Sequence, residues 1–195
     1  MLRSVYLVPV LVAGLAMPAA ALADRYRTTQ HDFGGVGLLQ TPTARMAPEG
    51  TFSFNANRTS PYSRYSISMQ PLPWLEGTLR YIAISNIRYS QVEEFSGDQS
   101  LKDKAFDFKF RLMQEDYWLP ELSVGFRDLA GTGLFSSEFV VANKRFYDLD
   151  FSLGVAWGYI GNRGDFRNPL GIIGNDYDSR DAATVGTGGD FSIDN

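Results

Sequence analysis

Leu149 to Tyr159 reads LDFSLGVAWGY. Its odd positions, Leu149, Phe151, Leu153, Val155, Trp157 and Tyr159, are large and apolar, while Asp150, Ser152, Gly154, Ala156 and Gly158 between them are small or polar. A β-strand sends successive side chains to opposite faces, so this segment has one broad apolar face and one small or polar face. The alternation lasts eleven residues. An ordinary strand runs about five or six residues, whereas one tilted across a bilayer needs about nine to eleven. Length and pattern together point to a transmembrane barrel strand.

The same period of two recurs upstream and predicts strands over about 51–59, 62–70, 74–82, 104–112, 120–128, 137–145 and 148–159. The segment around Phe106, Phe108, Phe110 and Leu112, set against Asp107, Lys109 and Arg111, is the cleanest charged example. Glu138 to Lys144 has the least clear apolar face, and Ser85 to Lys104 reads as a long polar connection. Connections after the second, fourth and sixth strands are short and carry Trp74, Tyr117 with Trp118, and Phe146 with Tyr147, candidates for an aromatic girdle at lipid headgroups. Those after the third, fifth and seventh are longer, polar and Gly-rich. Short turns on one rim and long loops on the other are the habit of an outer-membrane barrel. The expected fold is therefore all-β, an antiparallel up-and-down outer-membrane-type β-barrel. About seven strands is odd and below the even eight or more of single-chain bacterial barrels, so the ring is incomplete: either a portion of a larger barrel or a chain that oligomerises to close it.

Arg3, the apolar run Val5 to Leu15 and the small residues ending Ala21, Leu22, Ala23 read as a cleavable signal peptide over 1–23. Residues 24–50 form an irregular lead-in, loosened by Gly34, Gly35 and Gly37, broken by Pro42 and Pro48, and with only Leu38 and Leu39 to offer a small apolar contact. Residues 51–195 form the barrel portion, ending in a loop-like tail. The sequence has 14% aromatic residues and 19 glycines, which suits strands and turns. It has no cysteine, which excludes disulfides and thiolate metal sites, and its formal charge of -4 argues against a nucleic-acid partner.

In a barrel, the polar face points into the lumen, because a charge facing lipid at mid-bilayer costs roughly 2 to 4 kcal/mol. The lumen-facing candidates are Arg64, Glu76, Arg80, Asp107, Lys109, Arg111, Arg127 and Asp150. They read as a mixed-charge wall that guides a polar, anionic polysaccharide, or as charges that pair across the lumen and fill a plugged barrel. No catalytic group, metal ligand set or cofactor motif is expected. His31 is the only histidine and lies in a flexible lead-in; Glu76 and Asp107 lie on different strands amid basic neighbours; Gly131-Thr132-Gly133 lacks the lysine and helix of a phosphate loop. Arg163-Gly164-Asp165 spells an adhesion tripeptide within a Gly-rich loop. On this facing, Phe108→Arg blocks membrane assembly and Lys109→Ser leaves it intact.

GLLQTPTARMAPEG over Gly37 to Gly50, LPELSVGFRDLAGTGLFSSEFVVANK over Leu119 to Lys144, and WGYIGNRGDFRNPL over Trp157 to Leu170 resemble the opening third of the YjbH family. That resemblance implies an outer-membrane barrel associated with exopolysaccharide and capsule production, working with other exopolysaccharide secretion proteins. Family members are several times longer, and some carry a lipoprotein cysteine that is missing here, which implies ordinary signal-peptidase processing. Two functions are in play. One is a non-enzymatic outer-membrane barrel protein, in contact with outer-membrane lipid and a polysaccharide, that takes part in exopolysaccharide or capsule export or assembly. The other is a soluble periplasmic or extracellular all-β module that binds glycan, with its apolar faces forming a sandwich core.

Overall fold

The computed structural model describes residues 28–90, 92, 94, 97–161, 167–174 and 177. Its main sheet contains β3 (Phe52–Thr59), β4 (Tyr62–Leu72), β5 (Leu75–Arg88), β6 (Ser100–Met113), β7 (Glu121–Gly131), β8 (Ser137–Phe146) and β9 (Leu149–Gly158), antiparallel and in sequence order. The sheet curves into a half-barrel whose edge strands, β3 and β9, are each paired on one side. Two short strands of the lead-in, β1 (Gly37–Leu38) and β2 (Thr41–Pro42), form a separate ribbon. A 3-10 turn covers Pro169–Ile172. The expected leader, the adhesion-like tripeptide and the terminal tail lie outside the described residues.

The period of two sorts the side chains. On β6, Phe106, Phe108, Phe110 and Leu112 project from the convex face, and Asp103, Asp107 and Lys109 project into the concavity. Pairing aligns them across the sheet: Leu75, Phe110, Val124, Val140 and Val155 form one apolar row over five strands. The two faces differ sharply in exposure. Leu153 is 81% exposed on the convex side, whereas Arg80 is 1% exposed on the concave side.

The β5–β6 hairpin extends well into the stretch expected to be a polar connection, to Arg88 on one strand and from Ser100 on the other. There the alternation continues with inverted polarity: Ile82 and Ile84 point inward, while Lys102 and Lys104 lie on the other face. The inward isoleucines pack with Phe33 and Phe135, joined by Tyr62, Leu101 and Leu134. A second departure is a register shift opposite Phe106 and Phe108. With Asp128 at φ 56, it brings both Arg127 and its neighbour Asp128 into buried positions.

The lead-in does more than precede the first strand; it docks inside the concavity. Leu38 and Leu39 are exposed, and Phe33, Val36 and Ala44 are the buried anchors instead. A buried loop must find partners for its backbone polar groups. The wall supplies them. Ser68 Oγ donates to Gly34 O (2.6 Å), Ser123 Oγ donates to Ala44 O (2.8 Å), and Lys109 Nζ donates to Val36 O and Arg45 O (both 3.0 Å). Glu76 Oε2 accepts the Val36 N–H (3.0 Å) and Asn143 Oδ1 accepts that of Ala44 (2.7 Å). His31, expected to be flexible, is 5% exposed; its Nδ1 lies 3.1 Å from the Phe33 N–H and its Nε2 faces Arg127 Nη2 at 3.4 Å. Burial, and the positive charges of Arg127, Lys109 and Arg80, push the His31 imidazole well below its ordinary value of 6.5.

Gly34 tests this docking. It sits at φ +108, and a Cβ there would lie 2.2 Å from Ser66 Oγ and 2.5 Å from its Cβ. Gly50 is also left-handed, at φ +79, yet has open space around it. Gly34→Ala therefore combines backbone strain with a clash and should weaken lead-in docking by about 2 to 4 kcal/mol, against about 1 to 2 for Gly50→Ala. Protease sensitivity of residues 28–50 in the folded protein is the readout. The depressed His31 fixes a pH sign as well. A group held neutral in the docked state contributes its full stabilisation above about 6.5 and loses it as pH falls below that value. Lead-in cleavage should thus rise between about pH 6.5 and 5, and His31→Gln should remove that component.

Candidate functional site

The strands place a charged wall on the concave face, and the pairing decides which charges meet. Arg80 on β5 is central. It lies 3.2 Å from Asp107, 3.6 Å from Asp103 and 3.9 Å from Asp128. Asp107 Oδ1 also accepts the Asp128 N–H (2.8 Å), and Thr132 Oγ1 donates to Asp103. Glu76 and Lys109, opposite each other in the β5–β6 register, form a second buried pair at 3.1 Å. Glu76 and Asp107 are consequently bound to different cations. Lys109 is not an idle lumen charge, since it holds both Glu76 and two lead-in carbonyls; Lys109→Ser would strand them.

Arg64 and Arg127 complete the buried cations, 2% exposed each. Their guanidinium carbons lie 5.2 and 4.5 Å from the centroid of the Phe33 ring, with that of Arg80 at 5.0 Å. The lead-in phenyl thus sits among three guanidiniums, each within cation–π range. Phe135 and Tyr159 meet the same ring edge-on at 5.7 and 6.2 Å.

The remaining two candidates gather at the short-turn rim. Arg111 contacts Glu121 at 3.4 Å, and Asp150 binds Arg45 at 2.8 Å and Arg145 at 3.2 Å. Neither is deeply buried. Arg45 also reaches Glu115 (2.6 Å) and Glu121 (2.8 Å), so one lead-in side chain ties together β7, β9 and the β6–β7 turn. Burial disfavours the Arg45 charge, but the hydrogen bonds to Asp150, Glu115 and Glu121 outweigh it and raise the guanidinium above its ordinary value. Desolvation would raise Glu115, and the Arg145 N–H with Arg45 overrides that and holds it below the usual carboxylate range. Asp116 is lowered by the N–H groups of Leu119 and Trp118, which close the turn.

That turn presents Tyr117 and Trp118, each 83% exposed with their rings 4.8 Å apart. Trp74, Phe146 and Tyr147 are exposed at the neighbouring turns of the same rim.

Asp103, Asp128, Glu121, Arg45, His31 and Phe33 belong to the site without having been singled out as wall residues. Asp103 shares the parity of Asp107 and Lys109, so extending the alternation backwards would have found it. Asp128 depends on a bulge that breaks parity. Arg45, His31 and Phe33 lie in a segment with no period to read. Among the described residues, no group of His, Asp or Glu is arranged to hold a metal ion, and no helix is long and apolar enough to cross a membrane.

The polar concave wall, the apolar convex face and the docked lead-in can now be set beside known proteins. A family model described as "Exopolysaccharide biosynthesis protein YbjH" matches residues 29–195. The chain is 56% identical over 153 residues to the "Uncharacterized lipoprotein YjbH" of Escherichia coli (strain K12), covering 78% of this chain and 22% of that protein. No solved structure is similar. The chain spans about a fifth of the length of this relative. The family match includes the whole docked lead-in from Thr29 and all seven strands of the half-barrel, and on that ground the chain belongs to the YjbH family.

Proposed function

We propose that this chain is a non-enzymatic wall segment of an outer-membrane β-barrel that takes part in the export or assembly of an exopolysaccharide. One observation carries the membrane reading: the polarity of the sheet is inside out relative to a soluble sandwich. The covered face holds Arg64, Arg80, Asp107 and Lys109, and the uncovered face holds Phe52, Phe54, Phe106, Phe151 and Leu153. Water would leave that large apolar surface unpaid for, whereas lipid is its natural solvent. On β9 the outward apolar positions run from Leu149 to Trp157. At about 3.4 Å per residue and a tilt near 40°, nine residues rise about 23 Å, close to the roughly 25 Å apolar band of such barrels.

Exposed Trp74 and Trp118 at one rim support the same orientation, since a sandwich would bury them. The relative is by name a lipoprotein; this sequence contains no cysteine, and the membrane reading rests on the convex band instead. The exopolysaccharide role rests on the family description and on a wall whose side chains suit a polar cargo. The non-enzymatic reading rests on the commitment of Glu76 and Asp107 to ion pairs.

Fractionation followed by gels with and without boiling tests the membrane reading. The mature protein should be in the outer membrane and migrate faster unboiled; a soluble periplasmic protein unchanged by boiling would overturn it. Facing is tested by one introduced residue at two places. Phe108→Arg, on the convex band, should cost roughly 2 to 4 kcal/mol and abolish the heat-modifiable form, while Asn55→Arg, on the concave face of β3, should retain it. Equal tolerance of both would sink the assigned facing.

A further inference from the structure

The four buried cations of the wall are not equally compensated. Arg80 has three aspartates and Lys109 has Glu76. Arg64 reaches Asn57 Oδ1 at 3.4 Å and a carboxylate, Asp32 of the lead-in, at 4.0 Å, and its Nε has no hydrogen-bond partner. No carboxylate among the described residues is within ion-pair distance of Arg127, which donates to Gln40 O at 3.2 Å and faces His31. A buried guanidinium without a full counter-charge is costly, and both of these are turned toward one ring, Phe33.

We propose that Phe33 and Asp32 occupy the binding site of an acidic sugar, and that the lead-in is a resident stand-in for an anionic polysaccharide. The Phe33 ring is close in size to a pyranose. Around it lie two under-compensated guanidiniums able to take a sugar carboxylate in bidentate fashion, and the rings of Phe135 and Tyr159, on which the C–H face of a sugar can stack. Asp32 presents to Arg64 the carboxylate that the ligand would present. The stretch beside Phe33 can yield this place because Gly34 and Val36 are held there by hydrogen bonds to Ser68, Glu76 and Lys109, which saccharide hydroxyls can replace, while Arg45 keeps the lead-in tied at the short-turn rim. Two grooves, of about 270 and 300 Å³, flank it and meet at Thr28 and Val36. Their wall residues Gln70, Glu76, Asn143 and Asp150 belong to the short-turn side of the strands, so a chain has room to approach from that side. The Phe33, Ile82, Ile84 and Phe135 cluster closes the opposite side.

This inference rests on the exopolysaccharide reading, and the experiment separates the two. The full chain, extracted in detergent and shown to be heat-modifiable, is titrated with a short oligogalacturonate and with a malto-oligosaccharide of equal length. Phe33→Ala should bind oligogalacturonate about tenfold more tightly than the parent protein, because the competing ring is gone. Adding Arg127→Gln should remove the gain, and the neutral oligomer should show none. A heat-modifiable Phe33→Ala protein that binds no better than the parent, or that gains equally for the neutral oligomer, overturns the proposal and leaves the membrane reading standing. If Phe33→Ala does not assemble, Asp32→Asn decides: it removes the stand-in carboxylate without opening a cavity and should raise oligogalacturonate affinity about threefold, and no gain overturns the proposal.

Discussion

Every buried backbone group of the lead-in has to be met by something, and the wall side chains that meet them are the same ones whose polarity a barrel interior needs. Ser68, Glu76, Lys109, Ser123 and Asn143 each contact the lead-in backbone. Remove the lead-in and the Glu76–Lys109 pair keeps its mutual contact but loses its hydrogen bonds to Val36 and Arg45; remove the pair and the lead-in loses its clamp. This mutual dependence explains how a sheet with an outward apolar face can carry so many ionised groups inside. They are not dispersed singly through a dry core, where desolvation would exceed their attraction, but placed so that Arg80 meets three aspartates and Lys109 meets Glu76 and two lead-in carbonyls.

The two ends of the concavity are built from different physics. At the short-turn rim, Arg45 joins Glu115, Glu121 and Asp150 in a partly exposed network that reaches from the lead-in to the edge strand β9. Such a network is screened and adaptable, and it can be remade when a segment moves. Toward the long-loop rim, Phe33, Phe135, Ile82 and Ile84 form an apolar cluster against which Arg80 and Arg64 stack. That end is water-excluding. A segment anchored by hydrogen bonds at one side and by one phenyl ring at the other is held firmly, yet Phe33 is its one large apolar anchor, Val36 and Ala44 being small.

Much of this was legible in the alternation. The side chains of β6 could be assigned to faces from Phe106, Asp107, Phe108 and Lys109 alone, because a period of two admits only two registers and either one sets the phenylalanines on one face and the charges on the other. The exposed turn aromatics follow from the same geometry. What escaped reading was whatever the period does not carry. Lys102 and Ile84 invert the inside–outside rule where the hairpin runs past the apolar band; Asp128 turns inward through a left-handed residue; and the lead-in, rich in Gly and Pro, has no period. Its burial is decided by complementarity with residues remote in sequence, as between Ala44 and Asn143, 99 positions apart, and local sequence holds no sign of that.

The open edges then acquire a meaning in terms of the lead-in. On β9, Asp150 and Ser152 face the concavity but remain exposed, while their counterparts on β5 and β6 are buried beneath the lead-in. Among the described residues, the lead-in covers the middle of the sheet and meets the last strand through the Arg45–Asp150 pair. A wall continued beyond β9 would face the groove lined by Arg45, Arg145 and Asp150 without having to displace the lead-in. Occupancy of the centre and growth of the sheet at its edge are therefore compatible. The charged wall can be assembled around a lead-in already seated, which is the order that spares Arg64 and Arg127 from being desolvated without Asp32, His31 and Gln40.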